Sequence, residues 1–124
     1  MVNQVLLYLG SFFLLFWGVA HLFPTKSIVK EFGDISLDNR RIITMEWIIE
    51  GVSLIFLAAI VSAVTYIDYT NVISKIIYWI SFVMLNTLSL ISLFTGFKVS
   101  FLPFKLCPVI FTTSSILILL GSFI

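Results

Sequence analysis

Two carboxylates, Glu46 and Glu50, stand in the otherwise apolar stretch Met45-Glu46-Trp47-Ile48-Ile49-Glu50-Gly51. A spacing of four puts both on one face of a helix. Counted from Arg41 at about 1.5 Å per residue, Glu46 lies roughly 7 Å and Glu50 roughly 14 Å along that helix. In a hydrocarbon layer about 30 Å thick, Glu50 is then expected close to the middle. A charge at that depth costs about 3 kcal/mol or more, so Glu50 should face the protein interior and find a partner. Trp17 and His21 share a stripe with Gly10 and Leu14, and His21 is expected near the level of Glu46. Asn86, roughly 15 Å from Gly96, is expected level with Glu50. Thr112 and Ser115 share one face of the last apolar run. The candidate ligand-binding set is therefore Glu50, Glu46, His21, Asn86, Trp17, Thr112 and Ser115.

A carboxyl group withdrawn from water exchanges its proton nearer neutral pH than one in solution. Histidine ordinarily titrates in the same range. Such a pair suits a small cation, an amine or a proton, in a cavity opening towards the basic connections, with Glu46 and His21 at its mouth. Plainer readings stand beside this one. Glu46 can extend to the interface. Glu50 can be a neutral carboxyl bonded to Asn86 or a hydroxyl as glue between helices. Arg40 and Arg41 can be an orientation signal with phosphate head-group contact. Gly10, Gly18 and Gly51 suit close helix contact, and Cys107 reads as an inert buried thiol.

No metal or cofactor is expected. Dimetal bundles draw Glu and Glu-x-x-His from several helices, whereas this chain has one histidine. The same count excludes haem held by two histidines. A single cysteine excludes an internal disulfide. No nucleophile–base constellation is recognisable, so no catalytic residue is assigned.

The elements that must position these residues are apolar. Of 124 residues, 60% are hydrophobic and 10% charged, against roughly 25% charged in soluble domains. The net charge of +1 gives no electrostatic case for nucleic acid. Four runs, Gln4–Phe23, Arg40–Val64, Val72–Phe97 and Phe104–Ile124, are each near the ~20 residues that span a bilayer. In lipid each must satisfy its own backbone, which predicts an all-α bundle of four transmembrane helices in a single domain over 1–124. The first run is too long for a signal core and lacks a basic flank, so it reads as a retained helix. Pro24 stops it, and Pro108 falls in the first turns of the fourth. Short second and third connections make neighbouring helices antiparallel. The first connection predicts a short amphipathic interfacial helix, capped by Thr25, running to Phe32 and stopped by Gly33. Its apolar side is Ile28, Val29 and Phe32, and Ser36 or Asp38 can cap the next helix.

Lys26, Lys30, Arg40, Arg41, Lys98 and Lys105 fall in the first and third connections, and only Lys75 on the other side. The positive-inside rule puts those connections in the cytoplasm and both termini outside, as in a bacterial inner-membrane protein. Tyr66, Tyr69, Tyr78 and Trp79 would form the outer aromatic belt.

The stretch Phe16-Trp17-Gly18-Val19-Ala20-His21-Leu22-Phe23-Pro24, and Glu50-Gly51 ahead of Leu54-Ile55-Phe56-Leu57, resemble the DoxX-like group of small four-helix membrane proteins. The resemblance covers about the first half of the chain, and the Phe32–Arg41 segment departs from it. It implies a four-helix membrane fold and, for some relatives, accessory roles in quinone-linked or redox-stress membrane complexes. It supplies no catalytic residues.

Three readings of function follow. The first is a ligand, cation or proton site centred on Glu50. The second is a non-enzymatic accessory subunit of a larger membrane complex, or a homodimer. The third is an enzyme on a lipid-soluble substrate such as a quinone, with Glu46 or Glu50 as general acid–base. A polar funnel from the cytoplasm would favour the first, and an apolar pocket reaching Glu50 from the lipid would favour the third.

Overall fold

A computed structural model describes residues 1–123. It contains the helices α1 (Val2–Leu22), α2 (Thr25–Lys30), α3 (Leu37–Asp68), α4 (Val72–Phe94) and α5 (Leu102–Phe123). A 3-10 turn, Gly96–Lys98, follows α4, and no strand occurs among the described residues. Ile124, the expected last residue of the fourth apolar run, lies outside them. α1, α3, α5, and α4 with its 3-10 extension are each long and apolar enough to cross a membrane. This is the expected all-α bundle, with a short helix between its first two long ones.

Local chemistry sets the ends. The Ser36 hydroxyl caps α3 by accepting the Asn39 N–H at 3.1 Å. Asn71 caps α4 by accepting the Ile73 N–H at 2.9 Å. Such caps satisfy donors that the first helical turn leaves free. α2 corrects two expectations. Pro24, not Thr25, occupies its N-cap, and the Thr25 hydroxyl donates to the Leu22 carbonyl at 2.6 Å. The helix ends at Lys30, because the chain turns at Gly33, the one described residue with positive φ (73°). Ile28 and Val29 are buried while Phe32 is exposed, so the apolar face of α2 is two residues wide.

The helices form a curved row in the order α3, α1, α5, α4. Leu7, Leu14, Leu54, Val61, Leu85, Phe111 and Ile118 fill the space between them. α1 and α3 approach most closely at Gly18 and Gly51. A Cβ on Gly18 would lie 2.9 Å from the Gly51 carbonyl oxygen, so only hydrogen fits there. Small residues at such crossings let dispersion and backbone packing hold apolar helices together, which hydrophobicity cannot do in lipid.

α3 and α4 touch much less than the other neighbours, although the Tyr69–Asn71 turn joins them. Their polar links cluster near that turn. Thr65 and Tyr78 share a hydroxyl–hydroxyl bond of 2.9 Å, and Ser74 donates to the Asp68 carbonyl at 2.6 Å. The termini share this end of the bundle. The opposite end holds α2 and the 3-10 turn, with Lys26, Lys30, Arg40, Arg41, Lys98 and Lys105, and is called the basic end below.

α3 has 32 residues, or about 48 Å of helix. α1 has 21, or about 31 Å, close to the thickness of a hydrocarbon layer. The first turns of α3 therefore run past the end of α1, and α2 packs against that overhang.

Candidate functional site

The Gly18–Gly51 crossing determines what lies beside it. One turn from Gly18 towards the basic end is His21. One turn from Gly51 in the same direction are Trp47 and, adjacent to the glycine, Glu50. The antiparallel helices thus bring His21, Trp47 and Glu50 together.

His21 is buried, and its ring stacks on the Trp47 indole with centroids 3.8 Å apart and planes 13° from parallel. The Trp47 indole N–H donates to the His21 backbone carbonyl at 2.6 Å. This carbonyl lies in the last turn of α1, where helices leave acceptors unpaired. Trp47 thus fixes both the end of α1 and the plane of the imidazole. Nε2 of His21 lies 3.3 Å from Oε2 of Glu50, with side chains 6% and 45% exposed respectively. That is ion-pair range, but the alignment makes no hydrogen bond, and Nε2 has no hydrogen-bonded partner among the described residues. No other ion pair occurs among them.

Glu50 borders a cleft of about 290 Å³. Leu88, Ile91, Phe104 and Phe111 give it apolar walls, with Ser92 and Thr95 on the α4 side and Cys107 on the α5 side. Phe104 also meets Trp47 edge to face, with centroids 5.7 Å apart. Cys107 lies within hydrogen-bonding reach of the buried Trp17 indole. The cleft exists because α3 and α4 separate away from their shared turn. Lys105 shapes its rim by donating to the Phe97 carbonyl at 2.8 Å, which braces the 3-10 turn.

Of the candidate residues, the structure brings together Glu50, His21 and Trp17. The others lie elsewhere. Glu46 is exposed and makes no ion pair. Asn86 donates to the Phe82 carbonyl of its own helix at 2.7 Å. Thr112 bonds to Ser89 across the α4–α5 contact at 2.7 Å, and Ser115 donates to the Thr112 carbonyl at 2.8 Å. These hydroxyls and the amide serve helix packing.

The expected depths also change. Glu50 is level with His21, one residue from the end of α1, and with Ser92 and Thr95 at the end of α4. It therefore lies near the basic ends of α1 and α4 rather than midway along them. Asn86 is about 12 Å from the end of α4, further along the bundle than Glu50. The overhang of α3 is the physical reason, since Arg41 lies beyond the end of α1 and a count from it runs past the level of His21.

Trp47 and Phe104 were missed as site residues. The available signal was the i, i+3 relation of Trp47 to Glu50, which places both on neighbouring parts of one face. No group of three possible metal ligands occurs among the described residues. The arrangement can present a carboxylate, steadied by a buried imidazole, to a molecule occupying an apolar cleft. Comparison with protein-family models, with curated proteins and with solved structures returns no match.

Proposed function

We propose that this chain is a small multi-pass membrane protein that binds a lipid-soluble small molecule with a cationic or hydrogen-bonding head. The head meets Glu50, which the buried His21 backs from behind, and the apolar part lies between α3 and α4. The carrying observation is a half-exposed carboxylate at the edge of an apolar cleft, backed by a buried histidine whose Nε2 lacks a hydrogen-bonded partner. An apolar pocket with a few convergent polar groups is the usual form of a small-ligand site. A volume near 290 Å³ suits a short-chain amine or a single small ring system. The lysine and arginine asymmetry supports a cytoplasmic basic end and outward termini.

Octylamine, octanol and octyl sulfate test this reading as ligands of one length and three charges. Tryptophan emission of the purified protein is the readout, because Trp47 stacks on the histidine that meets Glu50. Octylamine is expected to bind tightest, and Glu50→Gln to reduce its affinity about tenfold or more, the loss of a charge-assisted contact of about 1.4 kcal/mol. Equal affinity for all three ligands, unchanged in Glu50→Gln, would overturn the proposal.

A second reading, an accessory subunit, has one observation in its favour. Only 17% of the apolar window of α4 is buried, against 39% for α5. A partner within the bilayer would cover α4. Gentle-detergent purification tests this, with a stable companion or a dimer as the supporting result and a lone monodisperse monomer as the contrary one.

A further inference from the structure

A hollow larger than the Glu50 cleft lies elsewhere in the molecule. About 670 Å³ lies between α2 and the overhanging first turns of α3, lined by Thr25, Lys26, Lys30, Asp34, Arg40 and Thr44 around Val29. Two features of the fold build it. Burial of Ile28 and Val29 docks α2 on α3, and Lys26 and Lys30, four apart, then share a face of the short helix. The positive φ of Gly33 turns the chain back, so that Asp34 forms part of the wall.

The donors left in this groove are charged. The Thr25 hydroxyl proton is used by the Leu22 carbonyl and that of Thr44 by the Arg40 carbonyl, at 2.6 and 2.7 Å. Lys26, Lys30 and Arg40 form no ion pair among the described residues, even with Asp34 in the same groove. Three free cations against one carboxylate leave a local excess of positive charge. A neutral polyol would find few donors there, whereas a phosphate would meet two ammonium groups and a guanidinium, the chemistry that recognises its oxygens. The groove also lies beyond the end of α1, whose ~31 Å length matches the thickness of a hydrocarbon layer.

We propose that the α2–α3 groove is a binding site for an anionic phosphate group, held by Lys26, Lys30 and Arg40 and supplied by an anionic phospholipid head group or by free phosphate. The site is separate from the Glu50 cleft and does not depend on how that cleft is used.

Native mass spectrometry of the full chain tests it, with phosphatidylglycerol, phosphatidylcholine and inorganic phosphate as probes. Retention of phosphatidylglycerol over phosphatidylcholine, undisturbed by inorganic phosphate, identifies the lipid source. Displacement of the lipid by inorganic phosphate, or retention of phosphate alone, identifies the free anion. Each of Lys26→Gln, Lys30→Gln and Arg40→Gln is expected to weaken retention roughly fivefold. Lys98→Gln, at the same end but outside the groove, should leave it unchanged. Asp34→Asn should strengthen retention, a gain that misfolding would not produce. Equal retention of both lipids with no bound phosphate would overturn the proposal. So would a loss in the Lys98 variant equal to that in the groove variants.

Discussion

The two ends of the bundle are built differently. At the termini end, α3 and α4 are clasped by the Thr65–Tyr78 and Ser74–Asp68 bonds, and the Thr65, Ser74 and Tyr78 side chains are both buried and bonded. At the basic end the same two helices separate. There the His21 Nε2 is buried 3.3 Å from Glu50 without a hydrogen bond, and that carboxylate faces an apolar cleft. Buried polar groups are normally paired because an unpaired one costs about 1–3 kcal/mol. Bonded hydroxyls close one end of the seam, while the open end holds a carboxylate and a buried imidazole nitrogen that make no hydrogen bond to each other.

The contrast can be broken at the α1–α3 crossing. Gly18→Ala drives a methyl group to 2.9 Å from the Gly51 carbonyl. It is expected to cost about 1–3 kcal/mol of stability, measured by unfolding in mixed micelles. Because the same crossing places His21 beside Glu50, octylamine binding should fall with it. Glu50→Gln should separate the two properties, weakening binding while stability changes by no more than about 0.5 kcal/mol. Thr65→Val removes the clasp at the other end. A cost of about 0.6 kcal/mol, and at most about 1.7, is expected, the range for hydrogen bonds between membrane helices. Binding should not change. Asn86→Ala is the smallest perturbation, because the amide bonds only to its own helix. Less than about 0.5 kcal/mol is expected, and a marked loss of octylamine affinity would mean that Asn86 reaches the ligand after all.

Much of the fold was legible because apolar run length and punctuation act locally. Pro24 marks the break between α1 and α2, Gly33 marks a turn, Ser36 caps α3, and four runs give four long helices. Helix order was not legible, since the α3–α1–α5–α4 row is decided by shape at Gly18, Gly51 and their neighbours. Position along the bundle is illegible for a related reason. α3 runs past the end of α1, and nothing in its sequence marks where the two helices begin to run side by side, so a count from Arg41 does not give the level of Glu50 beside His21. Within the candidate site, Glu50, His21 and Trp17 were recoverable from residue type and stripe. Asn86, Thr112 and Ser115 were not separable from it, because a polar side chain in an apolar run can as readily bond its own or the next helix. Trp47 went unnoticed because its role depends on the end of another helix, 26 residues away in sequence.

The most direct test of the account is to ask from which side Glu50 is reached. A carbodiimide adds to a carboxyl group to form a stable N-acylurea, and a hydrophobic carbodiimide dissolves in lipid while a charged one stays in water. In intact membranes, the hydrophobic reagent is expected to modify Glu50, with octylamine protecting it, and the charged reagent to modify Glu46 instead. Modification of Glu50 by the charged reagent as readily as by the hydrophobic one would contradict a cleft open to lipid.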